Sequence, residues 1–349
     1  QNQQEGTGVQ QDQDMTSIVS DIIVNSNTET GSKMIEELNN SSTDTENDLS
    51  LKVISAISEK DTTKLNTLSE NNKEQIDTLT QSAVKNAGSS QKSADLIAKV
   101  VANSSDEFAN QIIGEVTKNS TDENQALSAK VMKSIVETNP DKIENLNDEN
   151  KDNLISQTIE AAKNQAEGTS SDELDLSNTI AEIVTNSDTG TAAKVLDYLE
   201  EASNDSDSKL SLSVVSNLTK QENYEEKMEI LSVTSSVVDQ SINTLIEKAV
   251  ENASSEEDLE LVTDIVENSK GSLGDKIVNS ANKSEESKKK ITEIIVKVVE
   301  KNPEKAVEII EKNKNTNTVL EVIKTKIENG EAVSTDDFQD VFDTNVSPN

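Results

Sequence analysis

One unit of about 80 residues is written four times along this chain, and that repeat limits the folds open to it. Three phases give the same period. A first apolar stretch runs into an Asn at Asn25, Asn103, Asn186 and Asn268, spaced by 78, 83 and 82 residues. A second ends at Lys60, Asn139, Lys220 and Asn302, and a third at Asn86, Asn164, Asn252 and Asn329. In the first stretch the apolar residues are paired four apart: Ile18, Val19, Ile22 and Ile23; Leu96, Ile97, Val100 and Val101; Ile180, Ile183 and Val184; Leu261, Val262, Ile265 and Val266. That spacing makes one stripe on a helix of 3.6 residues per turn and would scatter over both faces of a strand.

Each copy therefore predicts about five short helices, arranged as two helical hairpins plus one helix. The first hairpin closes after the Asn, with Met34, Ile35 and Leu38 or Ile112, Ile113 and Val116 on its second arm. The second turns at Asn139-Pro140 in one copy and Asn302-Pro303 in another, where proline suits a first helical turn because its missing N–H has no partner there in any case. The fifth helix is predicted at Ile76–Val84, Leu154–Ala162, Ile242–Val250 and Leu320–Ile327. Helices this short bury a single stripe and hold only when neighbouring hairpins stack on a shared core.

The fold class that follows is all-α: an α-solenoid of four repeats at 15–92, 93–170, 171–255 and 256–330. A Gln-rich arm precedes them at 1–14, and an acidic tail follows at 331–349. The first helix is expected to begin at Ile18. In layout the pattern resembles the HEAT and armadillo class of superhelical repeat proteins, and no residue role is carried over from that class.

Composition bears on chemistry more than on fold. Among 349 residues there is no His, no Cys and no Trp, and all 32 basic residues are lysine. The usual proton shuttle, the thiolate nucleophile, the soft metal ligands and the bidentate phosphate fork are thus missing, which argues against an enzyme and against any cofactor. With 67 acidic residues the net charge is −35, so nucleic acid is not an expected partner. Lys288, Lys289 and Lys290 are the one basic run, read as a solvated turn. No stretch approaches the ~20 apolar residues of a membrane span. Val, Ile, Leu and Phe make up 84 residues, just enough for a thin aliphatic core. A thiol-free acidic surface suggests an extracellular or cell-surface location.

Alternating oxygens at Asn204, Asp205, Ser206 and Asp207 offer calcium ligands, but the twelve-residue loop with its glycine and closing glutamate is missing. Asp12, Asp14, Asp95, Asp175 and Asp258 read instead as helix-capping carboxylates. Divalent cations are expected to bind weakly and without specificity.

The expected function is structural: a filament or surface-scaffold subunit that associates end to end with itself. The alternative is a solenoid that grips a protein or peptide. The candidate association residues are Ile18 and Ile22 on the first helix, Val319 and Leu320 on the last, and Phe338 and Phe342 in the tail. Residues 1–255 carry −27, the fourth copy only −3 and the tail −5, so the fourth copy repels a neighbour least.

Overall fold

The structure, a computed structural model, describes residues 6–41, 49–168, 174–202, 208–234, 244–245, 253, 255–269, 285–313 and 318–334. Among them are eighteen helices and no strand. They are α1 (Gly6–Asn25), α2 (Thr28–Ser41), α3 (Leu49–Lys60), α4 (Thr62–Asn71), α5 (Lys73–Ala87), α6 (Gln91–Asn103), α7 (Asp106–Val116), α8 (Asp122–Thr138) and α9 (Asp141–Glu144). There follow α10 (Asp148–Ala166), α11 (Leu176–Asn186), α12 (Thr189–Ala202), α13 (Ser208–Lys220), α14 (Tyr224–Thr234), α15 (Glu256–Asn268), α16 (Glu285–Lys301), α17 (Pro303–Asn313) and α18 (Thr318–Glu328). The expected helices around Ile277 and across Ile242–Val250 fall largely outside the described residues.

Short polar residues start these helices by accepting from the otherwise unpaired N–H groups of the first turn. Ser90, Ser105 and Thr121 accept from Ser93 N, Phe108 N and Asn124 N at the heads of α6, α7 and α8. Ser255 and Asp258 complete a reciprocal capping box at the head of α15. Pro303 opens α17, as the Asn-Pro pair predicts. At the other such pair, Pro140 precedes a helix of one turn, α9. Between α5 and α6 the chain turns at Gly88, whose φ of 57° with ψ of −175° is open to little but glycine.

Several expectations change: Asp12 and Asp14 lie inside α1 and not at its head, and Lys288, Lys289 and Lys290 lie within the helix α16 and not in a turn. α1 begins at Gly6, so its first nine residues lie in the stretch read as a polar arm; Gln and Asp tolerate a helix once one is nucleated, and no apolar stripe marks them. Asp95 does not cap. It sits a full turn inside α6 and accepts from Gln91 Nε2 and Ser134 Oγ, both at 2.8 Å. Asp175 and Asp258 do cap, accepting from Asn178 N and Ser255 N.

The chain divides into two compact units: Gln1–Gln165 with Ser170–Thr179 and Asn186–Lys194, and Ala166–Thr169 with Ile180–Thr185 and Val195–Asn349. In the first, α1 packs on α3, α3 on α6 and α6 on α8, while α2 packs on α5 and α5 on α7. Ile23, Ile57, Leu68, Ile97, Ile113 and Met132 fill its core. In the second, α13 packs on α15, α15 on α16, and α16 on α17 and α18, around Leu212, Val266, Ile294, Val298 and Ile310.

A thin aliphatic core leaves room for amides, and the first unit uses them as ties. Gln157 accepts from Ser128 Oγ and donates to Thr117 O, each at 2.8 Å, which joins α10 to α8 and to the end of α7. Asn150 Nδ2 donates to Asn110 O at 2.7 Å. Each buried polar group that is satisfied in this way fixes the register of one helix on the next.

Candidate functional site

The residues expected to carry association separate by element. Ile18 and Ile22 lie on α1, 54% and 41% exposed, while their neighbours Val19 and Ile23 are buried. Met15, 47% exposed, falls three residues before Ile18 and joins the same row. The sequence reading missed Met15; its i, i+3, i+7 spacing with Ile18 and Ile22 is the signal that finds it. Val319 and Leu320 lie on α18 with side chains outside the described residues; on that helix Ile323 is buried and Val322 is 41% exposed. Phe338 and Phe342 lie outside the described residues.

The polar border of the α1 row is fixed by an ion pair. Lys60 of α3 donates to Asp21 Oδ1 and to Ser20 Oγ, each at 2.8 Å. Chiefly through the Lys60 hydrogen bond, the Asp21 carboxyl is held below its ordinary pKa. The pair ties α1 to α3 beside the exposed row.

Acidic residues of α15 are met by lysines. Lys301 reaches Glu260 and Asp264 at 3.3 and 3.0 Å, Lys220 reaches Asp264 at 3.6 Å, and Lys297 pairs with Glu256. The Asp264 contact, ahead of the others, raises the Lys301 ammonium above its ordinary pKa. Among the described residues no group of three acidic side chains is placed to hold a metal ion. The 204–207 segment lies outside them. Lys288, Lys289 and Lys290 belong to α16. No helix of the described residues is long and apolar enough to cross a membrane.

No known family model and no curated protein matches the chain. Among solved structures, a chain described as "Computational Design of Self-Assembling Cyclic Protein Homooligomers" is 14% identical, with 88% of this chain and 95% of that chain covered and a TM-score of 0.16. A TM-score that low carries no argument about this chain.

Proposed function

We propose that the chain is a non-enzymatic structural protein, an acidic α-solenoid of four repeats that joins end to end with further copies of itself as a filament or surface scaffold. The repeat phase supports the solenoid reading, since α1, α6, α11 and α15 end at Asn25, Asn103, Asn186 and Asn268. So does the succession of α1 on α3, α3 on α6 and α6 on α8.

One observation carries the association. Asn25 and Asn103 are 78 residues apart, and by that shift Met15, Ile18 and Ile22 of α1 correspond to Ser93, Leu96 and Val100 of α6. On α6, against which α3 packs, Ser93 and Val100 are each 1% exposed and Leu96 is half-buried. On α1 the corresponding row is apolar and open. An uncovered row at the end of a stack is an unfinished interface, and a head-to-tail contact there does not close on itself.

Covering three half-exposed side chains of this size is worth on the order of 3 kcal/mol. A micromolar joint requires about 8 kcal/mol, so the row alone gives only weak association. Light scattering at high protein concentration and moderate salt tests the reading. The intact chain is expected above its monomer mass of 37.8 kDa, and Ile18→Asp with Ile22→Asp is expected to return it to that mass with its helical spectrum unchanged. An intact chain that stays at monomer mass sinks the proposal.

A further inference from the structure

The copies inside the chain show how one seats on the next. The third helix of copy one, α3, packs on the first helix of copy two, α6, and the third helix of copy three, α13, packs on the first helix of copy four, α15. In copy four, α16 holds the third place. Val53 and Ile57 of α3, Val214 and Leu218 of α13, and Ile294 and Val298 of α16 are buried at matching positions. Two residues further on stand Glu59, Lys220 and Glu300. On the first helices, four residues before the closing Asn, stand Asp21, Lys99 and Asp264. Glu59 meets Lys99 at 2.8 Å and Lys220 meets Asp264 at 3.6 Å, so both interior joints match charges at one place, with opposite polarity.

The same surfaces are open on α1 and α16. Ile22 of α1 is 41% exposed, against 1% for its counterpart Val100 on α6 and 2% for Ile265 on α15. On α16, Val299 is half-buried where Ser58 of α3 and Thr219 of α13 are buried. We propose that α1 of a second copy seats on α16 in the register that α6 keeps on α3 and α15 keeps on α13, and that this joint, unlike those two, sets acid against acid: Asp21 against Glu300. The proposal rests on the end-to-end reading and adds which helices meet, in what register, and what governs the contact. Both carboxylates are exposed. The lysines beside them are already paired, Lys60 with Asp21 and Lys301 with Glu260 and Asp264. An apolar row opposed by a like-charge contact gives a joint that tightens as salt screens it, whereas the interior joints are matched and need no screening.

Sedimentation velocity of the full chain at low and moderate salt reads the joint. Glu300→Lys sets across it the arrangement of Lys220 with Asp264, and is expected to tighten association at low salt roughly three- to tenfold, with the gain shrinking as salt rises. Glu149→Lys on α10 makes the same change in net charge away from the joint and is expected to give little of that gain. Glu300→Lys combined with Asp21→Lys brings the net charge nearer zero still, yet sets lysine against lysine, and is expected to lose the gain. A response to Glu300→Lys no greater than to Glu149→Lys, or a double variant tighter than the single one, overturns the register, while association of the intact chain in salt still upholds the end-to-end reading. A chain that is monomeric at every salt concentration and in every variant overturns both. Because the sequence has no cysteine, single thiols can be placed to read the geometry directly. When chains carrying Asp21→Cys are mixed with chains carrying Glu300→Cys, a short bismaleimide is expected to join unlike chains in preference to like ones. A random distribution of products overturns the register.

Discussion

Lys142 Nζ lies 2.7 Å from the carbonyl oxygen of Ser104, so a lysine from the fourth helix of a copy closes the C-terminal end of the first. Lys64 does the same to Ser26 O at 2.6 Å. Each lysine is the third residue after an Asp or Asn, Asp61 or Asn139, and each meets the negative end of a helix whose last carbonyls lack intrahelical partners. Lys142 also reaches Asp106 Oδ1 at 3.0 Å. Replacing it with methionine keeps the apolar stem and removes the charge. Lys142→Met is expected to cost about 1–2 kcal/mol in urea denaturation, with amide protection lost first near the end of α6. Unchanged protection there would show the contact to be idle.

Asp188 gives the clearest pH dependence. Its partial burial works to raise its pKa. The Thr191 hydroxyl and the Thr191 and Gly190 amides, with the charge of Lys151, outweigh that and hold the carboxyl below its ordinary value. A depressed carboxylate pKa gives stability that is present above the unfolded-state value, near 4, and is lost as pH falls through the folded value. Stability is therefore expected to fall below about pH 4, and Asp188→Asn to flatten part of that fall. Identical acid transitions for the two proteins would rule the residue out as a contributor.

Thr80 of α5 is 2% exposed, and its hydroxyl has no hydrogen-bond partner among the described residues. A buried donor without a partner costs free energy that an isosteric methyl does not. Thr80→Val is expected to stabilise the protein by about 1 kcal/mol, read as a higher urea midpoint at unchanged slope. A lower midpoint would mean that the hydroxyl does find a partner.

The helices were legible where apolar pairs recur three and four apart, because Ile97, Val100 and Val101, or Ile112, Ile113 and Val116, share one helix face but would fall on both faces of a strand. What stayed hidden depends on neighbours distant in sequence. Ile18 and Val19 read as equivalent, yet one faces out and the other in, since only the side of α1 toward α2 and α3 is covered. Asp95 reads as a cap until Ser90, five residues earlier, is seen to start the helix. The buried amides Asn150 and Gln157 are indistinguishable in composition from the many exposed Asn and Gln residues. The contact of Lys99 with Glu59 left no trace either, because the two come from α6 and α3, helices that only the fold brings side by side.

Divalent cations test the reading of the acidic clusters as solvated, capping or lysine-paired. Diffuse carboxylates do not discriminate by cavity size, so magnesium and calcium are expected to raise thermal stability by similar amounts and with no defined stoichiometry. Isothermal calorimetry showing a saturable calcium site that magnesium cannot fill would overturn this. It would point to the 204–207 segment.

Ionic strength sets two effects against each other. Screening weakens ion pairs such as Lys194 with Asp152 at 2.6 Å and Lys99 with Glu59 at 2.8 Å, but pairs this exposed are worth roughly 0–1 kcal/mol each. It also weakens repulsion among the excess carboxylates of a chain at −35, which acts throughout the molecule and which compaction makes worse. At 0.1 M salt the screening length is about 10 Å, comparable to the spacing of packed helices, so repulsion between neighbouring helices is already cut. The repulsive term spans more groups and longer distances, and it wins. The urea midpoint is therefore expected to rise with sodium chloride, and to rise more for Lys99→Gln, which leaves Glu59 without its cation. A midpoint that falls with salt would show that the lysine pairs, few as they are, hold the helices together.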